Sequence, residues 1–361
     1  MATIRRSAGR RRLRAILLLL GLSLGGLACD AAREVENTID SHALAPKYTF
    51  GDSTAWALVT ELQPVGEYLV VADGIASTHL TVLDRGTRKV VLRFGPTGRG
   101  PQEVEWVTFI LPESARPPRF WTGDFGNRRA VLWEIHGWNA VRVLQNVNYG
   151  GSGYIRHPVF TQHGMLAGGL FPDASMLETD STGGEIVASI GTPPYSGDDY
   201  PTPTAFVTVN HYRLAVDPQR TRVVLAHRYA NRLDFYTLRG VRIGGTAGPR
   251  VVPRPEYTEV RNGMLEFDRT TMQSAYLGGV AATENFVYAA FCGCTHAEWT
   301  DGVKPHLIHV FTWDGRFVTE LDVQEQITAL AVLPGDSVMY TVSRDPYPMI
   351  SEWELPRELR H

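Results

Sequence analysis

From Tyr48 onward, the chain consists of short apolar runs separated by clusters of turn-forming residues. The runs are rich in Val, Leu, Thr, Tyr, Phe and Trp, and the clusters are rich in Gly, Pro, Asp and Asn. No long amphipathic helical pattern interrupts the series. Runs of this length and composition predict β-strands, and a chain made of them predicts an all-β protein.

Five pairs of neighbouring runs are joined by a tight turn that carries glycine, a pattern typical of β-hairpins. These hairpins lie at 80–95, 130–144, 175–191, 232–244 and 306–321. Two further apolar runs precede each hairpin, and a sixth, shorter copy of the unit covers 327–355. Six successive units of about four strands match the radial repeats of a β-propeller. Two stacked β-sandwiches, the alternative architecture, are disfavoured because the units keep one order throughout.

The last unit lacks an outer strand, because the chain ends soon after Leu355. A closed ring needs that strand, since an unpaired sheet edge leaves backbone groups without hydrogen bonds. The run 47–50 could supply it. The sequence therefore predicts, over residues 47–361, a six-bladed β-propeller with four-stranded antiparallel blades and a ring closed by an N-terminal strand.

The first 28 residues have the three parts of a secretory signal. Six arginines come first, an apolar run over 15–24 follows, and Gly25, Gly26, Leu27 and Ala28 precede Cys29. The apolar run is shorter than the roughly 20 residues that span a bilayer. The string 25–29 resembles the lipobox of bacterial lipoproteins. This resemblance implies a cleaved signal peptide over 1–28, a lipid on Cys29, a flexible tether over 29–46, and anchorage to a membrane of a bacterial cell envelope.

A second string, 94–104, has glycine, proline and glutamate at spaced positions: Gly95, Gly98, Gly100, Pro101 and Glu103. It resembles a signature of the NHL-like and TolB-like six-bladed propeller lipoproteins of bacteria, with Val104 where that family usually has Phe. In the family, the string links the outer strand of one blade to the inner strand of the next. Related propellers include binding domains, gluconolactonase-like hydrolases and amidating lyases, so the resemblance implies a fold and a location rather than a reaction.

Charge excludes one class of partner. The sequence has 35 Lys and Arg residues against 38 Asp and Glu residues, and six of the arginines belong to the leader, so the mature chain is acidic. Nucleic-acid binding depends mainly on neutralising phosphates with Lys and Arg, and is not expected. The predicted partners are the membrane, through the lipid, and a small polar ligand, a glycan, a peptide or an envelope protein. The chain is expected to be monomeric.

In a propeller, the loops after second strands and after outer strands emerge on one face, around the channel mouth. The candidate binding residues in these loops are Asp73, Asp124, Asn127, Asp173, His227, Arg228, Asn231, Arg344 and Asp345. A ring of mixed charges on a rigid scaffold suits a small polar ligand. The alternative is that the Asp and Asn residues only form turns.

Cys292 and Cys294 remain as a pair once Cys29 is lipidated. They could form a disulfide, since Gly293 permits the necessary bend, or they could be packed thiols. With His296 they could also bind a metal ion or serve a redox role.

No catalytic motif was found, such as G-x-S-x-G or H-E-x-x-H. The leading hypothesis is a binding propeller without catalysis or cofactor. The rival is a hydrolase or lyase with Ca²⁺ or Zn²⁺ held by Asp73, Asp124, His227 and Asp345.

Overall fold

A computed structural model describes residues 39–50, 56–137, 140–149, 154–161, 164–171, 173–180, 185–200, 202–260, 264–344 and 347–360. Cys29, the predicted signal peptide and Asp345 lie outside these ranges. Within them, no helix has both the length and the apolar character needed to cross a lipid bilayer. The described helices are short: α1 (Pro203–Val209), α2 (His296–Thr300) and a 3₁₀ turn (Arg357–Leu359).

The predicted fold is confirmed: the strands form six four-stranded antiparallel blades around a channel. Two strands, β1 (Ser41–Ala43) and β2 (Pro46–Phe50), precede the first complete blade. The first blade contains β3 (Val59–Val65), β4 (Tyr68–Asp73), β5 (Thr78–Asp84) and β6 (Lys89–Pro96). The second contains β7 (Val107–Ala115), β8 (Pro118–Asp124), β9 (Arg129–His136) and β10 (Ala140–Asn148). The third contains β11 (Tyr154–Phe160), β12 (Met165–Leu170), β13 (Met176–Thr179) and β14 (Ile186–Ile190).

The remaining blades follow the same order, from the channel outward. The fourth contains β15 (Tyr212–Val216), β16 (Arg222–His227), β17 (Arg232–Thr237) and β18 (Arg242–Ala247). A hairpin of β19 (Tyr257–Val260) and β20 (Met264–Phe267) is inserted before the fifth blade. That blade contains β21 (Gln273–Ala282), β22 (Phe286–Thr295), β23 (Leu307–Thr312) and β24 (Phe317–Asp322). The sixth contains β25 (Ala329–Val332), β26 (Val338–Ser343) and β27 (Met349–Glu354).

The core lies between the blades. Every residue of β4 is buried, whereas the outer strand β10 alternates exposed and partly buried positions. Second and third strands are covered by neighbouring blades on both faces, which explains their continuous apolar runs. In two blades a fully buried tryptophan is also hydrogen-bonded: Trp133 Nε1 donates to Thr122 Oγ1 at 2.9 Å, and Trp353 Nε1 donates to Thr341 Oγ1 at 2.8 Å.

The N-terminal strand closes the ring. β2 pairs antiparallel with β27, with Phe50 opposite Ile350 and Pro46 opposite Trp353. The sixth blade thus takes its outer strand from the start of the chain and its other three strands from the end. Phe50 is buried against the first and sixth blades, which joins the closing strand to the core as well as to the sheet edge.

The segment just before β2 also adds a strand. β1 lies parallel to β24 and extends the fifth blade to five strands. Thr319 Oγ1 donates to the carbonyl of Asp40 at 2.8 Å, and the N–H of Leu44 donates to the carbonyl of Asp322 at 2.8 Å. The tether predicted over 29–46 therefore overlaps a segment that is hydrogen-bonded to a blade, because the edge of β24 offers free backbone groups.

Candidate functional site: the mouth of the central channel

The inner strands β3, β7, β11, β15, β21 and β25 line the channel, and three of them carry a β-bulge at the same place. In β3, β7 and β11 the register shifts across one residue near the start of the strand, which is Thr60, Thr108 and Arg156 respectively. Bulges of this kind turn one side chain out of the regular alternation. The three blades therefore present the same position to the channel and to the next blade.

Two of these residues join neighbouring blades, and the third does not. Thr60 Oγ1 donates to the carbonyl of Val107 at 3.3 Å, and Thr108 Oγ1 donates to the carbonyl of Arg156 at 2.8 Å. Arg156 instead donates from Nη1 to Nε2 of His211, at 2.5 Å. The long charged side chain that replaces threonine in the third blade reaches into the mouth of the channel.

The fourth blade has arginine at the corresponding position, and this arginine crosses the channel. Arg213 Nη1 lies 3.1 Å from Oε1 of Glu61, a residue 152 positions earlier on the inner strand of the first blade. The first and fourth blades are opposite each other in a six-membered ring. The Glu61 side chain is 19% exposed, and its burial raises its pKa to about 7, although Arg213 acts to lower it. Glu61 and Arg213 thus form an ion pair across the channel.

Further cations converge on the same place. We define the cationic mouth as five side chains from the third to sixth blades: Arg156, Arg213, Arg228, Lys304 and Arg344. Burial lowers the pKa of Arg156 and of Arg228, and the charge of Arg213 lowers both further. Burial and then Arg213 lower the pKa of Arg344, and burial and then Arg344 lower that of Lys304. In the described part of the chain, only Arg213 among the five is in a salt bridge.

Two histidines lie beside these cations. Burial lowers the pKa of His157 to about 3, with smaller effects from Arg213 and Arg156, and burial lowers the pKa of His211 well below its usual value. Both are therefore neutral at pH 7. Because Nε2 of His211 accepts from Arg156, its Nδ1 carries the hydrogen. Within the described ranges, neither His157 Nδ1 nor His211 Nδ1 has a hydrogen-bond partner, and both atoms are buried.

Two of the predicted site residues hold the scaffold together. The carboxylate of Asp73 accepts hydrogen bonds from the backbone N–H groups of Ala57 and Leu58, at 2.6 and 3.0 Å. Asp124 accepts from the corresponding two N–H groups before β7, both at 3.2 Å, and forms a buried ion pair with Arg129 at 3.3 Å. Each carboxylate fixes the chain as it enters the inner strand of its own blade.

The predicted asparagines stabilise loops in the same way. Asn127 Nδ2 donates to Asp124 Oδ2 at 2.7 Å and to the carbonyl of Gly98 at 2.8 Å. Asn231 Nδ2 donates to the carbonyl of Gly248 at 2.9 Å, and its Oδ1 accepts from the N–H of Gly248 at 3.1 Å. In these contacts both side chains bond to protein groups of the turns, as the turn-forming alternative predicts.

The other predicted residues differ in where they lie: some are away from the channel mouth, and two belong to it. His227 occupies the register of Asp73 and Asp124 in the fourth blade, and its Nε2 lies 2.9 Å from Oδ2 of the buried Asp234. Asp173 is exposed, and Asp345 lies outside the described residues. Arg228 and Arg344 belong to the cationic mouth. Arg228 stacks over the ring of Tyr229, with 4.8 Å from its guanidinium carbon to the ring centroid.

The glycine-rich string 94–104 is a structural loop. The N–H of Gly98 donates to the carbonyl of Val104 at 3.1 Å, and the N–H of Val104 donates to the carbonyl of Pro96 at 2.9 Å. Within the loop, Glu103 Oε2 accepts from the N–H of Gly100 at 2.6 Å. Gly98 has φ of +154°, and a Cβ there would lie 2.2 Å from Glu103 Oε2. The string connects β6 to β7, as the family resemblance implies.

Cys292 and Cys294 form a disulfide, with 5.0 Å between their Cα atoms. Gly293 supplies the bend, with φ of +62°. The bridge occupies both thiols, so the proposed set with His296 has no thiolate to offer a metal ion. His296 begins α2 and stacks on Trp299. In the ranges the structure describes, no group of three or more His, Cys, Asp or Glu side chains is close enough together to hold a metal.

Two insertions build an aromatic cap on the loop-bearing face. Tyr200 packs against Tyr257 and Phe267, which belong to the β19–β20 insertion. Its hydroxyl donates to the carbonyl of Pro255 at 2.8 Å. Tyr195 in the same cluster donates to the carbonyl of Tyr229, the residue after Arg228, at 2.7 Å. The cap thereby fixes the chain that carries one arginine of the mouth.

A cavity of about 910 Å³ lies on the opposite face, among the second, third and fourth blades. Its lining includes residues of β7, β8, β11 and β13 and of the turn between β17 and β18. Trp121 and Phe160 stack at its wall, and its Arg220 lies 3.9 Å from Glu113. None of the predicted site residues lines it.

The sequence reasoning missed Glu61, Arg156, His157, His211 and Arg213. A signal was present: with Val59, Val107, Ile155 and Tyr212 of the inner strands aligned, the next residues in the first four blades are Thr60, Thr108, Arg156 and Arg213. The alignment requires the bulge positions, which the pattern of apolar residues does not reveal.

No protein-family model and no curated protein matches the chain. Among solved structures, it is similar to the WD40 repeats of RRP9, with 8% identity, a TM-score of 0.52, and coverage of 86% of this chain and 97% of that one. It also matches the Cps50 (Swd1) β-propeller domain of Myceliophteria thermophila (12% identity, TM-score 0.47, 86% and 99% coverage) and Raptor of Chaetomium thermophilum (15%, 0.48, 84% and 28%). The similarity to RRP9 supports the propeller fold and no further conclusion.

Proposed function

We propose that this chain is an envelope lipoprotein of the NHL-like and TolB-like propeller group that binds a soluble ligand or protein partner at the cationic mouth, without catalysis. The observation that carries the proposal is the convergence of charged side chains from four blades on one end of the channel. Ligand sites of propellers and other rigid scaffolds are built in this way, from loops and strand ends that a stable core positions.

The surroundings of the mouth support a binding role. Three large apolar side chains are mostly exposed on the loops of the same face: Ile75 (67%), Trp106 (51%) and Tyr347 (58%). Exposed aromatic residues around a polar centre are typical of surfaces that contact a partner. They would enlarge the contact with a peptide, a glycan or an envelope protein whose charged group enters the mouth.

The rival metal-dependent enzyme receives less support from the described residues. Asp73 and Asp124 are engaged by backbone N–H groups in different blades, and His227 is paired with a buried carboxylate. The test is metal analysis of the purified protein. A stoichiometric, tightly bound Ca²⁺ or Zn²⁺ would favour the rival over the binding module.

Lipid anchorage is tested by Cys29→Ser. The resemblance of residues 25–29 to a lipobox leads us to expect that this variant leaves the membrane fraction for the soluble fraction, while the wild type stays with the membrane. Cys292→Ser is the matched control, because it removes a cysteine without touching the leader. Retention of Cys29→Ser on the membrane would contradict lipidation at this residue.

Ligand binding is tested by thermal-shift screening against sugars, peptides and organic acids, neutral and charged. A ligand of the mouth should stabilise the wild type and the Arg239→Met variant, but not Arg344→Met. Arg239 is exposed on a turn at the opposite face and serves as the matched control. If every stabilising compound acts equally on all three proteins, the mouth is not the binding site.

A further inference from the structure

We infer that the cationic mouth is a site for a small multivalent oxyanion: a phosphate or sulfate group, or a pair of carboxylates, carried by a low-molecular-weight ligand. The inference rests on the proposed binding function and names the chemical class of its ligand. Nothing in the sequence patterns pointed to an anion, since the mature chain is acidic.

The first argument is the balance of charge at the mouth. Arg156 and Arg213 lie on inner strands, and Arg228, Lys304 and Arg344 lie on loops after second strands. Lys304 Nζ donates to the carbonyl of Trp299, and in the described residues the only carboxylate paired with any of the five is Glu61, on Arg213. By contrast, several arginines elsewhere in this chain are paired with carboxylates even where they are largely exposed, as Arg142 is with Glu134 at 2.6 Å and Arg250 with Glu320 at 2.7 Å. Holding cations together, partly out of water and without counterions, is costly. An incoming anion would relieve that cost.

The second argument is the supply of free donors. Arg344 Nε is buried and has no partner within the described ranges. His211 Nδ1 carries a hydrogen, because Nε2 accepts from Arg156, and it too is buried without a partner. His157 is only 3% exposed, its Nδ1 is also without a partner, and this nitrogen donates in one of the two neutral tautomers. Guanidinium forks and N–H donors of this kind match the planar or tetrahedral oxygens of carboxylate, phosphate and sulfate.

The third argument is the geometry, which selects a small ligand. Arg156 and Arg213 are fixed by inner strands, and the bulge at Arg156 turns its side chain out of the sheet. The contact between Arg213 and Glu61 joins opposite blades across the channel, and it narrows the path along which a ligand could move. The ligand's anionic group is therefore held at the mouth. A long polyanion is disfavoured because the chain that follows the leader has more acidic than basic residues.

The test is titration of the purified protein with sodium sulfate, sodium phosphate and sodium citrate at constant ionic strength, with sodium chloride as the reference. Isothermal titration calorimetry and thermal shift give the dissociation constant and the stabilisation. We expect at least one of the three oxyanions to bind in excess of chloride. The oxyanion that the protein binds most tightly distinguishes the two ligand chemistries, since sulfate and phosphate are single tetrahedral groups and citrate supplies several carboxylates.

Variants locate the site. Arg156→Met and Arg344→Met should each weaken oxyanion binding about tenfold or more, because each removes a charge-assisted hydrogen bond. Arg239→Met, at the opposite face, should leave the dissociation constant within about twofold of wild type, since it removes a charge of the same kind far from the mouth. If a methionine variant fails to fold, Arg156→Lys and Arg344→Lys keep the charge and lose the fork, and should still weaken binding measurably.

Two outcomes overturn the inference: no oxyanion binds better than chloride, or the mouth variants bind as tightly as Arg239→Met. Failure here differs from failure of the proposed function. A neutral ligand that binds the wild type but not Arg344→Met, in the absence of any oxyanion binding, would refute the oxyanion class and leave a binding site at the mouth. Absence of every ligand from the mouth would refute both.

Discussion

Replacing Glu61 by glutamine should make the stability of the protein depend differently on pH. Burial in the channel raises the pKa of this carboxyl group from 4.5 to about 7, against the lowering effect of Arg213. The folded state therefore holds the proton more tightly than the unfolded chain does. Its contribution to stability is fully present below pH 4.5 and is lost as the pH rises toward 7. Glutamine resembles the protonated side chain and has no such loss.

The magnitude follows from the pKa. One pKa unit corresponds to about 1.4 kcal/mol, so the wild type should lose about 2 to 3 kcal/mol of unfolding free energy relative to Glu61→Gln between pH 5 and pH 8. The other groups at the channel do not reverse this sign. His157 and His211 stay neutral over this range, because burial lowers the pKa of both.

The assay is urea-induced unfolding of both proteins at pH 5, 6, 7 and 8, with the difference in free energy taken at each pH. Taking the difference removes groups that titrate alike in the two proteins. Glu284→Gln, an exposed carboxylate on a turn, is the matched control and should show a difference that does not change with pH. A constant difference for Glu61→Gln, or one that favours the wild type as the pH rises, would refute the reasoning: the Arg213 pair would then outweigh burial.

Two further predictions concern the scaffold. Asp124→Ala should lower the unfolding free energy by about 3 to 5 kcal/mol, because it leaves the buried Arg129 without its carboxylate partner and leaves two backbone N–H groups without their acceptor. Asp173→Ala, at an exposed turn, should change the unfolding free energy by less than about 0.5 kcal/mol, and equal effects of the two substitutions in urea unfolding would show that Asp124 does not hold the chain before β7. Deletion of residues 1–50 removes the ring-closing strand and should give an aggregating protein, whereas deletion of residues 1–38 should leave a monomer with wild-type melting behaviour. Size-exclusion chromatography and thermal denaturation distinguish these outcomes, and a monomeric protein after deletion of 1–50 would show that the ring does not need β2.

Much of the fold could be predicted because hairpins are local. Each blade repeats apolar runs and glycine turns whose order is visible along the chain, and the missing outer strand of the last unit indicated closure by residues near 47–50. The segment between the third and fourth blades shows the limit: the sequence has no long amphipathic helical pattern there, yet the segment contains α1, capped by Thr202, whose side chain accepts from Ala205 N–H at 3.2 Å. β1 was also missed, because Ser41–Ala43 has no apolar pattern and pairs only where β24 leaves an edge.

The site could be predicted only in part. Arg228 and Arg344 were identified because they follow second strands, and such positions reach the loop-bearing face. The same rule selected Asp73 and Asp124, which the structure uses to clamp backbone groups, since a carboxylate at a strand end serves a turn as readily as a ligand. Sequence alone gave no means of separating these two uses.

The amino-acid order by itself determined the strands, their turns and the number of blades, because these depend on neighbours close along the chain. The tertiary structure decided which charges meet. Glu61 and Arg213 are 152 residues apart and come together only because the first and fourth blades face each other across the ring. The bulge at Arg156 exists only in the pairing of β11 with β12. A site formed by long-range convergence depends on ring geometry and strand register, and neither is encoded in any single stretch of sequence.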